Sequence, residues 1–158
     1  MRRDHIFRYG RCPCEVEPTG EYGRYKKAGY FLTPKAEYSV LYCIKALMRK
    51  GYTVRILTAY YTGGSAMAEK QEWLQKLGLG SIEAIFVPCG VPKHLYVDSA
   101  HKNVLIDDYT HNLKEWVKSG NFGIKFRNKI NCKNGTWTGA VVDYRSTSLA
   151  RDIESFIK

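Results

Sequence analysis

Asn103-Val104-Leu105-Ile106-Asp107-Asp108 is a short aliphatic run, partly β-branched, that ends abruptly in two adjacent carboxylates. An apolar run of that length bounded by polar residues predicts a buried strand of an α/β sheet. Acids at the carboxyl end of such a strand stand where open α/β sheets place their ligands. Two neighbouring carboxylates repel each other unless a positive charge compensates them, and Mg²⁺, a hard cation that takes oxygen ligands, is one natural partner. The same acids also suit the cap of a helix over Tyr109–Lys118, and the run alone leaves both readings open.

On either side of this run the elements alternate. Glu37–Lys50 carries Val40, Leu41, Ile44, Leu47 and Met48 at helical spacing and stops at Gly51. Thr53–Thr58 reads as a strand, Ala66–Leu77 as a helix with Trp73, Leu74 and Leu77 on one face, and Ile82–Val87 as a strand broken by Pro88. His111–Val117 reads as a helix closed by Ser119-Gly120. Short strands follow around Gly123–Phe126 and Trp137–Val142, linked by the turn Asn134-Gly135, and a terminal helix follows Ser146-Thr147-Ser148. Strand and helix alternating at this spacing predict parallel βαβ units in a sheet covered on both faces. No repeat, low-complexity tract or linker divides the chain, so residues 1–158 are expected to form one domain.

Composition narrows the classes. Among 158 residues, 44% are hydrophobic and 25% charged, which is ordinary for a globular protein. No apolar run approaches the roughly 20 residues of a membrane span, and Met1-Arg2-Arg3-Asp4-His5 lacks the apolar stretch of a signal peptide, so a cytoplasmic location is expected. Five cysteines (Cys12, Cys14, Cys43, Cys89, Cys132), odd in number and uneven in spacing, argue against a disulfide framework. The net charge of +10 invites a nucleic-acid reading. Its densest part, Lys125, Arg127, Lys129 and Lys133, interleaved with Phe122, Phe126 and Trp137, reads instead as a solvated hairpin with a basic face. No run of five basic residues occurs, which argues against a nucleic-acid tail, and a basic surface also favours capture of a small phosphorylated substrate.

The predicted topology brings polar groups from three successive strand ends to one rim: Thr58, Lys93, and Asp107 with Asp108. A hydroxyl and an ammonium can hold phosphate oxygens, and the two acids can hold Mg²⁺. Phosphoryl transfer needs little more from a protein than such positioning and charge neutralisation.

Val54-Arg55-Ile56-Leu57-Thr58-Ala59, Glu69-Lys70-Gln71-Glu72-Trp73-Leu74, Ile85-Phe86-Val87-Pro88-Cys89-Gly90 with Lys93, and Leu105-Ile106-Asp107-Asp108-Tyr109-Thr110-His111-Asn112-Leu113 together resemble the haloacid dehalogenase-like (HAD) phosphohydrolases. The branch they are most similar to is the 5′-nucleotidase type C, or 5′(3′)-deoxyribonucleotidase-like, proteins of bacteria and phages. The resemblance runs from about Tyr25 to Gly139, within a family-like core of residues 25–142. It implies a three-layer Rossmann-like α/β fold with a parallel central sheet and Mg²⁺-dependent hydrolysis of a phosphate monoester, a nucleotide by preference. It further implies that Thr58 and Lys93 bind phosphate and that Asp107 and Asp108 are the Mg²⁺ ligands.

One part of the family pattern is missing. These enzymes carry Asp-x-Asp-Gly on the first, central strand, whose first Asp attacks phosphorus and whose second serves as acid and base. This chain has no Asp-x-Asp anywhere. In its place stands His5-Ile6-Phe7-Arg8-Tyr9-Gly10-Arg11-Cys12-Pro13-Cys14-Glu15, in which His5 and the two thiols match no common zinc spacing. Read one base later, codons for these residues can spell Ile-Phe-Phe-Asp-Met-Asp-Gly-Val-Leu-Ala-Lys, a strand followed by the absent motif. The expectation is that residues 1–24 are translated out of frame, which requires A as the third base of the Arg8 and Gly10 codons. The chain as written is then expected to be inactive as a phosphatase, with a phosphate- or nucleotide-binding module as the alternative. His5–Tyr9 keeps enough β-forming residues to fill part of the first strand.

Overall fold

The strand predicted from Val104 is β4 of a six-stranded sheet in a computed structural model, which describes the backbone of residues 4–8 together with residues 28–129 and 133–158. The strands are β1 (Asp4–Arg8), β2 (Thr53–Tyr60), β3 (Ala84–Pro88), β4 (Val104–Asp107), β5 (Phe122–Arg127) and β6 (Ala140–Asp143), in the order β3-β2-β1-β4-β5-β6. Every neighbouring pair is parallel. The helices are α1 (Tyr38–Arg49), α2 (Ala66–Lys76), α3 (Thr110–Lys118) and α4 (Leu149–Ile157). Each predicted helix is present, with bounds shifted by a residue or so. Among the described residues no helix is long and apolar enough to cross a membrane.

Side chains alternate along each strand, so one sheet supplies two cores. Val54, Ile56, Val104, Ile106, Ile124 and Val142 join residues of α1, α2 and α4 in the larger cluster. Leu57, Val87 and Leu105 join Leu113 and Trp116 of α3, with Trp137, on the opposite face. The result is the expected three-layer Rossmann-like α/β arrangement. At β5 the helix comes very close, since a Cβ on Gly123 would lie 3.1–3.2 Å from Trp137, Leu113 and Val117. Leu105, with no exposed surface, is the centre of the second core. Leu105→Ala is expected to cost about 3 kcal/mol, read as a fall in the urea midpoint at constant slope.

The atypical first strand takes its place. β1 pairs with β2 from Asp4↔Thr53 to Arg8↔Leu57 and with β4 from His5↔Val104 to Phe7↔Ile106, so it fills the middle of the sheet. Two expectations need correction. The strands around Gly123 and Val142 do not form a hairpin: β5 and β6 run parallel, with Lys125 opposite Val141, so the chain between them returns across the sheet. Against the expectation of no disulfide framework, Cys89 is disulfide-bonded, while Cys43 is buried and free.

Candidate phosphate and metal site

Because all the strands are parallel, their carboxyl ends share one rim, and Thr58, Lys93 and Asp107 arrive there by different routes. Thr58 lies near the end of β2 and is 1% exposed. Lys93 opens a short 3-10 turn, Lys93–Tyr96, beyond β3, and is 5% exposed. Asp107 is the last residue of β4, and Asp108 follows it.

Asp107 is heavily engaged. Lys93 Nζ donates to Asp107 Oδ2 at 2.9 Å, and Asn112 Nδ2 donates to the same oxygen at 3.0 Å. Asp107 Oδ1 accepts the Tyr109 backbone N–H at 2.8 Å, just ahead of α3. The cap reading is not met, because the N-cap of α3 is Tyr109 and no side chain caps the helix; Asp107 instead accepts the N–H of Tyr109 and holds the Lys93 ammonium. Asp108 Oδ2 accepts from Asn128 Nδ2 at 2.8 Å. Mg²⁺ takes one or two carboxylates and completes its shell with water and phosphate oxygens, and in this pair both Asp107 oxygens already accept hydrogen bonds. Among the described residues, no group of three or more His, Cys, Asp or Glu is placed to hold a metal.

Thr58 meets a different lysine. Lys70 of α2, 6% exposed, donates to Thr58 Oγ1 at 3.1 Å and to the Ala59 carbonyl, and its ammonium lies 4.7 Å from the centre of the Phe31 ring. Lys70 was not singled out from the sequence, although a signal exists. It shares the i, i+3, i+4, i+7 face with Trp73, Leu74 and Leu77, where a solvated lysine does not belong.

The neighbouring Glu69 builds the wall beside it. Its carboxylate accepts the Gly29 N–H at 2.8 Å, the Phe31 N–H at 3.0 Å and the Ser65 hydroxyl, which ties Gly29–Leu32 to the first turn of α2. Burial pushes the Glu69 carboxyl up, but the Ser65 hydroxyl and the two amides outweigh it and hold it below its ordinary range. A carboxylate with a depressed pKa adds stability above its unfolded value, and that stability is lost as pH falls through the folded value. Glu69→Ala is expected to cost about 2 kcal/mol at neutral pH and to flatten the acid limb of stability against pH.

Lys125 corrects the basic-hairpin expectation. It is 4% exposed, and its Nζ donates to Thr110 Oγ1 at 2.7 Å. Burial lowers its pKa, while Asp108 and then Asp107 act in the opposite direction. Lys125 thus belongs to the rim rather than to a solvated face, because a parallel β5 puts it beside β4.

Between the Thr58–Lys70 pair and the Asp107–Lys93 pair stands β1. The out-of-frame reading and the Cys12-Pro13-Cys14 segment concern residues that, beyond Arg8 and before Ala28, lie outside the described ones. No family model, curated protein or solved structure matches the chain.

Proposed function

We propose that this rim is the phosphate-binding half of an HAD-like phosphohydrolase site, suited to a nucleotide or other small phosphate monoester, in a chain that lacks the attacking carboxylate. The observation that carries the reading is the pairing of Thr58 with Lys70 and of Lys93 with Asp107 at the carboxyl ends of β2 and β4, one on either side of β1. Lys70 and the Thr58 hydroxyl are the groups for phosphate oxygens, donating charge-assisted hydrogen bonds from a site with little water. Lys93 orients Asp107, and Asn128 orients Asp108. Mg²⁺, held by Asp107 and Asp108, supplies further neutralisation of phosphate charge when bound.

Hydrolysis requires a nucleophile, and no Asp-x-Asp is present to form an acyl phosphate. Binding without turnover is therefore the expected behaviour. Thermal unfolding with nucleoside monophosphate and Mg²⁺ is expected to rise, by the equivalent of about 2.7 kcal/mol at a hundredfold excess over Kd. Lys70→Met is expected to remove most of that rise. Equal stabilisation of wild type and Lys70→Met, or affinity only for polynucleotides with a steep salt dependence, would count against the reading.

A further inference from the structure

The charges around the acid pair point past simple phosphate binding. Asp107 and Lys125 are Cα partners on adjacent parallel strands, so their side chains leave the same face of the sheet about one strand spacing apart. Lys125 is buried, its Nζ held at 2.7 Å by Thr110 Oγ1 in the first turn of α3. Lys93 Nζ meets Asp107 from the other side at 2.9 Å. Among the described residues, Lys93 is thus ion-paired with Asp107, Lys125 is a second buried ammonium one strand further along by register, and Lys70 adds a third positive charge across β1.

Among the described residues, the two acids are thus matched by buried positive charge. A divalent cation entering this cluster alone brings excess positive charge close to two ammonium groups in a poorly solvated place, which is unfavourable. An oxyanion changes the sign of that balance, because its oxygens attract Lys70, Lys93, Lys125 and the metal together. Each ligand then strengthens the other, and by linkage the two effects are equal.

We propose that Lys125 is a resident counter-charge of the Asp107-Asp108 pair, so that the site takes an oxyanion without metal and takes Mg²⁺ chiefly together with that oxyanion. The inference rests on the reading of the rim as a phosphate site and adds the order and mutual dependence of its ligands. Asn128 Nδ2 donates to Asp108 Oδ2 and holds that carboxylate beside β5.

Calorimetric titration of the full chain tests it with three probes: inorganic phosphate alone, MgCl₂ alone, and MgCl₂ in saturating phosphate. Phosphate is expected to bind without metal, and phosphate to tighten Mg²⁺ by about tenfold or more. Lys125→Met, close in shape but uncharged, is expected to tighten Mg²⁺ alone by about tenfold, to weaken phosphate alone, and to shrink the coupling. Lys125→Arg, which restores the charge, is expected to behave like the wild type.

Wild-type Mg²⁺ affinity that does not depend on phosphate overturns the proposal, even if Lys125→Met fails to fold. So does a folded Lys125→Met with unchanged Mg²⁺ affinity, or a Lys125→Arg that behaves like the methionine variant. Failure of every probe to bind, alone or combined, instead removes the phosphate-site reading beneath it.

Discussion

Replacing residues 5–15 by Ile-Phe-Phe-Asp-Met-Asp-Gly-Val-Leu-Ala-Lys is expected to turn a chain proposed to bind without turnover into a Mg²⁺-dependent phosphatase. The gain in kcat is expected to be at least about 10⁴-fold, the scale on which removal of a covalent nucleophile acts. The register explains why so short an exchange suffices. Position 8 pairs with Leu57 in β2 and is one residue beyond Phe7, which pairs with Ile106 in β4. A carboxylate there stands level with Asp107 and one residue short of Thr58, between the two halves of the rim. The second carboxylate, at position 10, would supply the acid and base. Hydrolysis of an aryl phosphate, followed with and without EDTA, reads the result, and Asp108→Asn in the restored chain is expected to abolish it. Robust Mg²⁺-dependent turnover by the chain as written, lost on Asp108→Asn, would refute the assignment of the missing nucleophile.

Asp107→Ala is expected to destabilise the fold by about 3–5 kcal/mol, the cost of leaving one member of a buried ion pair without its partner. The Asp107 side chain has no exposed surface and that of Lys93 is 5% exposed, so solvent does little to replace the lost carboxylate. The Tyr109 amide and the Asn112 side chain lose their acceptor as well. Lys93→Met is expected to fall in the same range. The double variant Lys93→Met/Asp107→Leu is expected to be more stable than the Asp107→Ala single change, since no unpaired charge then remains at this pair. Urea unfolding followed by tryptophan fluorescence measures all of these, and an Asp107→Ala midpoint equal to wild type would show that the pair is not a structural element.

The parallel sheet was legible because its signal is local. Val104-Leu105-Ile106 and Val54-Arg55-Ile56-Leu57 carry their burial in their own composition, and the helices over Tyr38–Arg49 and Leu149–Ile157 carry it in their spacing. The direction of β6 was not legible. Asn134-Gly135 is a strong local turn signal, yet a turn does not specify which way the next strand pairs: β6 lies parallel to β5, and Trp137 joins the core cluster of Leu57, Leu105 and Trp116.

The candidate site divides in the same way. Thr58, Lys93 and the acid pair were readable because each ends or follows a recognisable strand. Lys125 was not, because a lysine is expected in water and only its surroundings decide otherwise, whereas Lys70 had a signal in its place on the apolar face of α2. Lys70 is drawn inward by the Thr58 hydroxyl, the Ala59 carbonyl and the Phe31 ring, and Lys125 by the Thr110 hydroxyl.

By itself, then, the sequence determined the alternation of elements, the rim on which polar strand ends meet, and the absence of an Asp-x-Asp nucleophile, since hydrophobic period and residue identity are properties of the chain. Only the tertiary structure decided which cation answers which oxygen. Such partners are remote in sequence, as Lys93 is from Asp107 and Lys125 from Thr110, and a buried charge finds its counter-charge through strand order and register, which no local pattern encodes.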